Sequence, residues 1–445
     1  MKKKNNKAFY LRIESLSSVV TGSCNYCTLH LPNKQEIEFL VDCGMFLDDG
    51  IDEYNNDFPF EPSKISFSIA THYHADHTGR FAMLYNQGYT GAIYASEYTT
   101  EHIKKHAIAN WYAHKKLSPK LLWNEEDAIK LINNVKIVKN NVMLNVHPNI
   151  DIIFFKNAHC QGAIMCIVTC KYEEEKFNIL FTGDYKERSL TRKSWISDLY
   201  RQSPITIVTE ATYGIKSKPE ETFDKLVTNA IQEEGNVLIF GLGNEMFEHI
   251  ITRIKQLKRK GKIDSDIPIY VEINRKFEMN NKVLRSMPSN VTFVKTVTEK
   301  TIALYDKKQK IIIVTERGGI DFFLPFMVKK ENNMIIFTNH IRQNSNLLKF
   351  LNSSRGQCIS YRGKEIEKLA QVYNTEEFGC HCFIEEVEKL VDFFENTNAI
   401  VFGHGDKCAK QEVVSHFNKK LKDIQGFYLR RGKAFRVTAE GIKYE

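Results

Sequence analysis

Residues 71–80 read THYHADHTGR, and they place His72, His74, Asp76 and His77 in the pattern His-x-His-x-Asp-His. The preceding run alternates large apolar residues with small ones, so the four side chains are predicted to lie on a loop that leaves a strand. Residues i and i+2 point the same way, so His72 and His74 can share one metal ion while Asp76 and His77 reach a second. Imidazole and carboxylate without thiolate suit zinc, manganese or iron rather than a closed structural cysteine site.

The chain has 445 residues, which favours two domains, or one domain with a large insertion. The net charge of +8 permits a polyanionic substrate without requiring one. The basic N-terminus is followed by no apolar run of signal-peptide type, and no run approaches the length that spans a bilayer. We therefore expect a soluble, cytoplasmic protein with no membrane partner.

Two further patterns admit a metal but favour a simpler interpretation. The ten cysteines are scattered, as is typical of free thiols in a reducing compartment, and the lone C-x-x-C of Cys24 and Cys27 is predicted to be strand and turn. A helical segment at 98–116 carries His102 and His106 at a spacing that could hold a metal. The adjacent lysines would repel a cation, so a solvated helix face is favoured.

Other acids and imidazoles also stand at the ends of apolar runs. His159 follows the run 152–155, Asp184 ends a run in Gly-Asp, Glu210 follows another, and His404 comes after a fourth. Ligands gathered at one edge of a sheet are what an α/β metal site requires, because strands hold the ligands rigidly while loops admit substrate.

From about residue 216 the pattern changes to alternating short apolar strands and amphipathic helices, which predicts a parallel-sheet insert. Gly241, Gly243 and the pair at 318–319 follow strands, where we favour ordinary turns over phosphate cradles. After the insert, His381 precedes an amphipathic helix, and the metal-edge pattern returns.

Together these motifs resemble those of the metallo-β-lactamase superfamily and, within it, the β-CASP nucleases. The order and spacing that carry the resemblance are those of His72-x-His74-x-Asp76-His77, His159, Asp184, Glu210, His381 and His404, with agreeing flanks at 20–24, 42–46 and 210–214. The resemblance implies an α/β fold: a four-layer αββα metallo-β-lactamase domain formed by 1–215 and 377–445, interrupted at 216–376 by a parallel-sheet α/β (β-CASP) domain. The extra domains found in some relatives are expected to be missing.

The branch that the sequence resembles most is the RNA-processing one. The resemblance implies a zinc-dependent phosphodiesterase that cuts RNA by means of a hydroxide activated by two divalent ions, leaving 5′-phosphate and 3′-hydroxyl ends. Zinc is the first expectation for both ions and manganese the second. Single-stranded RNA is the expected partner, with a homodimer or an RNA-processing complex as candidate assemblies.

The resemblance also implies roles for individual residues. One ion would be held by His72, His74 and His159, and the other by Asp76, His77 and His404, with Asp184 bridging. His381 would donate a proton to the leaving oxygen, Glu210 would orient it, and Asp76 counts with the catalytic residues. Asp42 is either a partner of a ligand histidine or a turn-capping residue before Gly44.

Two differences from the family pattern affect the expected phosphate binding and cleavage rate. Phe383 stands where the family usually has an acid, and Asn244-Glu245 follow a glycine that is usually followed by arginine. They leave the metal ligands intact.

Three other functions fit the sequence less well. A DNA nuclease of the Artemis type partly matches the motif at 159–163, but that branch typically has valine where this chain has His404. A catalytically silent scaffold is disfavoured because such chains lose ligands. A small-molecule hydrolase is disfavoured because the long insert would wall over the site.

Overall fold

The computed structural model describes most of the chain in ranges that are separated by short gaps. The described residues are 9–47, 51–117, 122–187, 196–241, 244–273, 287, 290–315, 317–338, 346–361, 363–421 and 424–445. The chain divides into two compact units, the first formed by Met1–Ser217 with Cys380–Glu445 and the second by Lys218–Gly379. Gly243, one of the glycines considered as a phosphate cradle, lies outside the described residues, as do the side chains of Asn244 and Glu245.

The first unit contains two mixed sheets. The first sheet has eight described strands in the order Gly441–Tyr444, Ala434–Thr438, Tyr10–Ser15, Asn25–His30, Glu36–Val41, Ile65–Ile69, Ala92–Ala95 and Val135–Ile137. The second has seven, in the order Gln425–Tyr428, Thr397–Phe402, Ile205–Thr209, Glu175–Phe181, Ile164–Tyr172, Ile150–Lys156 and Met143–His147.

The inner faces of the two sheets share one apolar core. Leu11 and Phe39 from the first sheet and Phe154 and Ile179 from the second belong to the same buried cluster. The strand Ile205–Thr209 is buried throughout, as expected where one face meets a sheet and the other meets helices.

Helices cover the outer faces of both sheets. On the first sheet they are Phe81–Asn86, Glu97–Leu117 and Glu125–Asn134, and on the second Ile384–Phe393 and Lys407–Lys420. Three short helices, Asp52–Asn55, Pro62–Lys64 and Ala75–Thr78, lie in connections, and Asp198–Gln202 precedes a strand of the second sheet. The first unit therefore has four layers in the order αββα, and the predicted fold class is confirmed.

The second unit is built on a parallel sheet. Its six described strands are Val291–Val294, Ile269–Glu272, Ile311–Val314, Val237–Phe240, Met334–Phe337 and Gln371–Asn374. Its helices are Phe223–Gln232, Asn244–Arg259, Val297–Tyr305, Arg317–Met327 and Asn346–Asn352, and a hairpin joins Cys358–Tyr361 to Lys364–Glu367. Separate apolar clusters cover the two sheet faces, as a parallel sheet requires.

None of the helices in the described part of the chain is both long enough and apolar enough to cross a bilayer. Cys27 lies in the strand Asn25–His30, and Cys24 directly precedes that strand, with both side chains buried.

Candidate metal centre

The metal loop, residues 71–77, runs from the end of the strand Ile65–Ile69 into the short helix Ala75–Thr78. The backbone of Gly44 lies directly against this loop. A Cβ at Gly44 would come within 1.6 Å of the carbonyl oxygen of Asp76, so only glycine fits there. This contact fixes the loop backbone, and with it the directions in which the ligand side chains leave it.

The first group of ligand atoms is formed by three histidines. His72 Nε2 lies 3.0 Å from His74 Nδ1, and His159 Nε2 lies 3.2 Å from the same atom. His159 comes from the loop after the strand Ile150–Lys156, so the second sheet brings it to the metal loop. The predicted grouping of these three residues is present as a set of converging nitrogens.

The second group of ligand atoms joins Asp76, His77 and His404. Asp76 Oδ2 lies 4.0 Å from His77 Nε2 and 3.7 Å from His404 Nε2. His404 follows the strand Thr397–Phe402, which belongs to the part of the first unit that lies after the insert. The fold therefore places His404, which lies after the insert in the sequence, next to the metal loop.

Asp184 lies between the two histidine groups. Its Oδ1 is 3.3 Å from His77 Nε2 and 3.4 Å from His404 Nδ1. Its Oδ2 is 3.8 Å from His72 Nε2 and 3.7 Å from His159 Nε2. One carboxylate oxygen thus faces each group, as a bridging ligand would, although the His404 nitrogen nearest Asp184 is Nδ1, whereas Nε2 faces Asp76.

Neighbouring groups hold the other ring nitrogens of the ligand histidines. His72 Nδ1 lies 3.1 Å from Thr71 Oγ1, and His159 Nδ1 lies 3.0 Å from the carbonyl oxygen of Cys380. His404 Nδ1 lies 3.0 Å from Thr212 Oγ1. Such partners fix the ring orientation and tautomer of a metal-binding histidine.

Asp42 has a positive φ and contacts the metal loop through both carboxylate oxygens. Its φ is +66°, its Oδ1 accepts a hydrogen bond from the backbone N–H of Thr71 at 2.8 Å, and its Oδ2 lies 2.8 Å from His77 Nδ1. Of the two interpretations left open for Asp42, this geometry is that of a partner of a ligand histidine.

The residues present fit divalent cations. His77 Nε2, Asp184 Oδ1 and His404 Nε2 are buried, and in the described part of the chain none has a hydrogen-bond partner with suitable geometry, although the first two lie 3.3 Å apart. Buried polar atoms without partners are costly, and a cation among them would satisfy all three. Nitrogen and carboxylate donors in this number suit zinc or manganese.

The charge balance supports the same conclusion. Asp42, Asp184 and Glu210 are each at most 2% exposed, and in the described part of the chain only histidines lie within ion-pair distance of them. Buried carboxylates need nearby positive charge. Divalent ions would supply that charge without requiring several histidines to be protonated.

The pKa shifts of His159, Asp184 and Asp76 agree with ligand roles, whereas burial lowers the pKa of His77 but Asp184 and Asp42 raise it more, so its net shift is upward. Burial lowers the pKa of His159 to about 3, which keeps the ring in the neutral form that binds metal. Burial raises the pKa of Asp184, but His404 and His77 lower it more, so the net shift is well downward. Burial also raises the pKa of Asp76, which His404 and His77 bring down to about 2. Both carboxylates are therefore ionised at neutral pH.

His381 and Glu210 form a buried pair beside Asp184. His381 Nδ1 lies 2.9 Å and 3.1 Å from the two carboxylate oxygens of Glu210, and 3.7 Å from Asp184 Oδ2. Burial lowers the pKa of His381, but the carboxylate of Glu210 raises it more, so the net shift is upward. Because Glu210 engages Nδ1, Nε2 is the nitrogen left for another partner.

Lys186 is a residue of this site that the sequence did not predict. Its Nζ donates hydrogen bonds to the carbonyl oxygen of His381 at 2.8 Å and to Glu386 at 2.9 Å, and it lies 4.3 Å from the ring centroid of Phe383. Glu386 also accepts the backbone N–H of Phe383 at 2.8 Å. The family usually has an acid at the position of Phe383. In this chain the ring of Phe383 instead contacts the Lys186 ammonium, which is hydrogen-bonded to Glu386.

No pattern in the sequence indicated Lys186 or Glu386. Lysine and glutamate are common on solvated surfaces, and their separation by 200 residues leaves no local spacing to notice. Thr212, which contacts His404, was also missed as a site residue, although it lies two positions after Glu210.

A family model and a solved structure each match part of this chain. The family described as Anti-Pycsar protein Apyc1 matches residues 18–235. Among solved structures, the Rm3 metallo-β-lactamase is 13% identical, covers 44% of this chain and 78% of its own, and has a TM-score of 0.27.

Curated relatives come from three lineages. Transcription termination factor FttA of Methanosarcina mazei is 24% identical over 53% of this chain and 38% of its own length. Ribonuclease TTHA0252 of Thermus thermophilus is 23% identical over 87% of this chain and 91% of its own. Cleavage and polyadenylation specificity factor subunit 3-I of Arabidopsis thaliana is 25% identical over 51% of this chain and 32% of its own.

The chain thus spans about a third of the length of the first and third of these relatives and about nine-tenths of the second. The similarity to the ribonuclease includes the insert as well as both parts of the αββα unit. With the ligand motifs converging as described, the relatives confirm the predicted resemblance to the β-CASP group of the metallo-β-lactamase superfamily.

Proposed function

We propose that this chain is a metal-dependent ribonuclease that hydrolyses single-stranded RNA and leaves 5′-phosphate and 3′-hydroxyl ends. The observation that carries the proposal is the position of Asp184, with one carboxylate oxygen toward each histidine group. RNA as the substrate is supported by the relatives, one of which is named a ribonuclease and another a cleavage and polyadenylation factor.

The proposed metal ligands divide between the two groups. One ion would be held by His72, His74 and His159 and the other by Asp76, His77 and His404, with Asp184 shared. A pair of divalent ions supplies an activated water and neutralises the charge that develops on a phosphate. The protein's part is to fix the ligands, which Thr71, Asp42, Thr212 and the Cys380 carbonyl do by holding the opposite ring nitrogens.

His381 is the proposed proton donor to the leaving 3′-oxygen. Glu210 holds Nδ1, so the transferred proton would come from Nε2, and the Glu210 carboxylate raises the pKa of the ring, which favours the protonated form. Glu210, itself ionised, stabilises the charged imidazolium before transfer and the ring orientation after it. Asp76 is proposed as both ligand and catalytic residue because it faces the second histidine group.

The two compact units supply the proposed domain assignment. We assign the αββα unit to the metallo-β-lactamase domain and the parallel-sheet unit to the β-CASP domain, with boundaries near residues 216 and 376. The unit boundaries at Ser217/Lys218 and Gly379/Cys380 support those positions.

We further propose that the metal is zinc, that the protein is cytoplasmic and that it assembles with a second copy or with other proteins. Zinc is favoured over manganese because five of the seven ligand residues are histidines, and imidazole is the softer of the two ligand types present. In the described part of the chain none of the ten cysteines forms a disulfide bond, which suits a reducing compartment such as the cytoplasm. A homodimer or a processing complex is the proposed assembly, to be measured by light scattering.

The deciding experiment compares cleavage of an end-labelled single-stranded RNA with cleavage of DNA of the same sequence. The purified protein is assayed after chelation and again after zinc or manganese is restored. We expect metal-dependent cleavage of RNA, weaker binding as salt rises, and products with 5′-phosphate ends. Faster cleavage of DNA would assign the protein to the DNA-nuclease alternative. Absence of cleavage with two bound ions would favour the silent scaffold.

A further inference from the structure

A pocket of about 250 Å³ lies in the first unit on one side of the metal centre. His74, a proposed metal ligand, forms part of its wall, together with Tyr73, His102, His106 and Trp123. Any group that enters this pocket therefore lies beside a ligand of the first histidine group. None of the proposed roles in metal binding or proton transfer uses the other four rings.

The pocket is lined by flat rings in contact with one another. The ring centroids of Tyr73 and His102 are 4.2 Å apart, and those of His102 and His106 are 4.3 Å apart. All three rings are partly exposed, whereas Trp123 is buried. Small side chains, Ala82 and Ala107, also line the pocket. The pocket is therefore lined by contacting aromatic rings and by small apolar side chains.

The size of the pocket limits its occupant. Ordinary small-molecule sites measure about 300 to 1,000 Å³, so this pocket is suited to one flat ring system rather than to a whole nucleotide. Nucleobases are such ring systems, and they stack on aromatic side chains without regard to sequence. We propose that this aromatic pocket binds one base of the substrate strand, next to the phosphate that is cleaved.

A metal site at His102 and His106 fits the pocket less well. In the described part of the chain, no group of three or more metal-binding side chains includes either histidine. Lys104 and Lys105, exposed on the same helix, disfavour a cation but would attract the phosphates of a bound strand. The pair is therefore better explained as a stacking surface.

This inference rests on the proposed nuclease function and deepens it by naming a base-binding subsite. The test uses single-stranded RNAs in which one abasic residue is moved through each position around the cleavage site. In the wild-type protein, an abasic residue at one position should lower kcat/KM about tenfold, the usual effect of losing one base–aromatic stack. For His102→Ala, the normal RNA should already show that loss, and the abasic residue should cause no further loss.

Tyr112→Leu is the matched control, because Tyr112 lies on the same helix, is 51% exposed and does not line the pocket. Its kcat/KM and its response to each abasic RNA should equal those of the wild type. Metal content is measured for every variant. The proposal would be overturned if every abasic residue lowered the kcat/KM of His102→Ala by a further factor. Loss of a bound zinc ion in that variant would also overturn it.

The same RNAs distinguish this inference from the proposed function. If the wild type cleaves no RNA, the proposed function fails, and the pocket is judged by fluorescence anisotropy of RNA binding. An equal Kd for normal and abasic RNA at every position would then contradict base binding. If RNA is cleaved but the loss of kcat/KM caused by each abasic residue is the same in His102→Ala as in the wild type, only the pocket inference fails.

Discussion

The carboxylate of Glu210 lies 2.9 Å from Nδ1 of His381, and Glu210 itself is completely buried. A buried carboxylate that is bonded to one ring nitrogen fixes both the orientation and the protonation of the imidazole. The pair lies beside Asp184 but outside the seven proposed ligands, so proton transfer and metal binding can be separated by substitution.

We expect His381→Ala to retain both ions and to bind RNA normally, while cleavage falls by about 10² to 10⁴-fold, the usual contribution of a positioned acid. An RNA with a 3′-bridging phosphorothiolate should recover much of the lost rate, because sulfur leaves without a proton. Glu210→Gln should show a smaller loss and a smaller recovery. Loss of metal from His381→Ala would instead identify His381 as a ligand.

Asp184→Ala should lose most of both ions, because each oxygen of Asp184 faces a different histidine group. Metal content by elemental analysis should fall from near two per chain, and cleavage should fall with it. Asp151→Asn is the control, because Asp151 pairs with Lys171 and is not a proposed ligand. This variant should retain both its metal content and its cleavage activity. A single ion lost from Asp184→Ala would argue against a bridging position.

Asp42→Asn tests the support of the metal loop. Asparagine tolerates the positive φ at this position, so the backbone should be preserved while the bond to His77 changes from carboxylate to amide. We expect affinity for the metal in the second group to fall by about 10 to 100-fold, as is usual when a partner of a ligand histidine is altered. Unchanged zinc affinity, measured by competition with a chelator, would restrict Asp42 to a turn-capping role.

Lys186 is predicted to be a positioning residue that acts through the backbone of His381. Lys186→Met keeps the volume but removes the bonds to the His381 carbonyl and Glu386, so kcat should fall about tenfold with KM and metal content little changed. Leaving Glu386 buried without its partner should also cost about 3 kcal/mol of the free energy of unfolding.

The double variant Lys186→Met with Glu386→Gln separates these two effects. It should recover stability, because the unpaired buried charge is gone, but not kcat, because the His381 carbonyl still lacks its donor. Full recovery of kcat in the double variant would show that Lys186 acts only through stability. The phosphorothiolate RNA should partly rescue either variant if the proton donor is what has moved.

Residue types and local patterns were sufficient to predict the kinds of ligand and the class of fold. The segment 71–80 combines four metal-binding side chains at one strand end, and this chemistry depends on residue type and local direction alone. The change from mixed strands to βα alternation near residue 216 likewise comes from periodicity, which local sequence encodes. Both features were therefore predictable before any long-range contact was known.

Contacts between residues far apart in the chain could not be predicted in this way. The bond of Asp42 to His77, the pairing of Lys186 with Glu386, and the pocket formed by Tyr73 with His102 depend on how sheets and helices pack. His102 illustrates the limit: on its own helix it is an ordinary, partly solvated side chain, and it becomes one wall of a pocket beside the metal centre only because the helix Glu97–Leu117 packs beside the metal loop. Such contacts join residues far apart in the chain, and their geometry is set by packing rather than by the spacing of residues along the sequence.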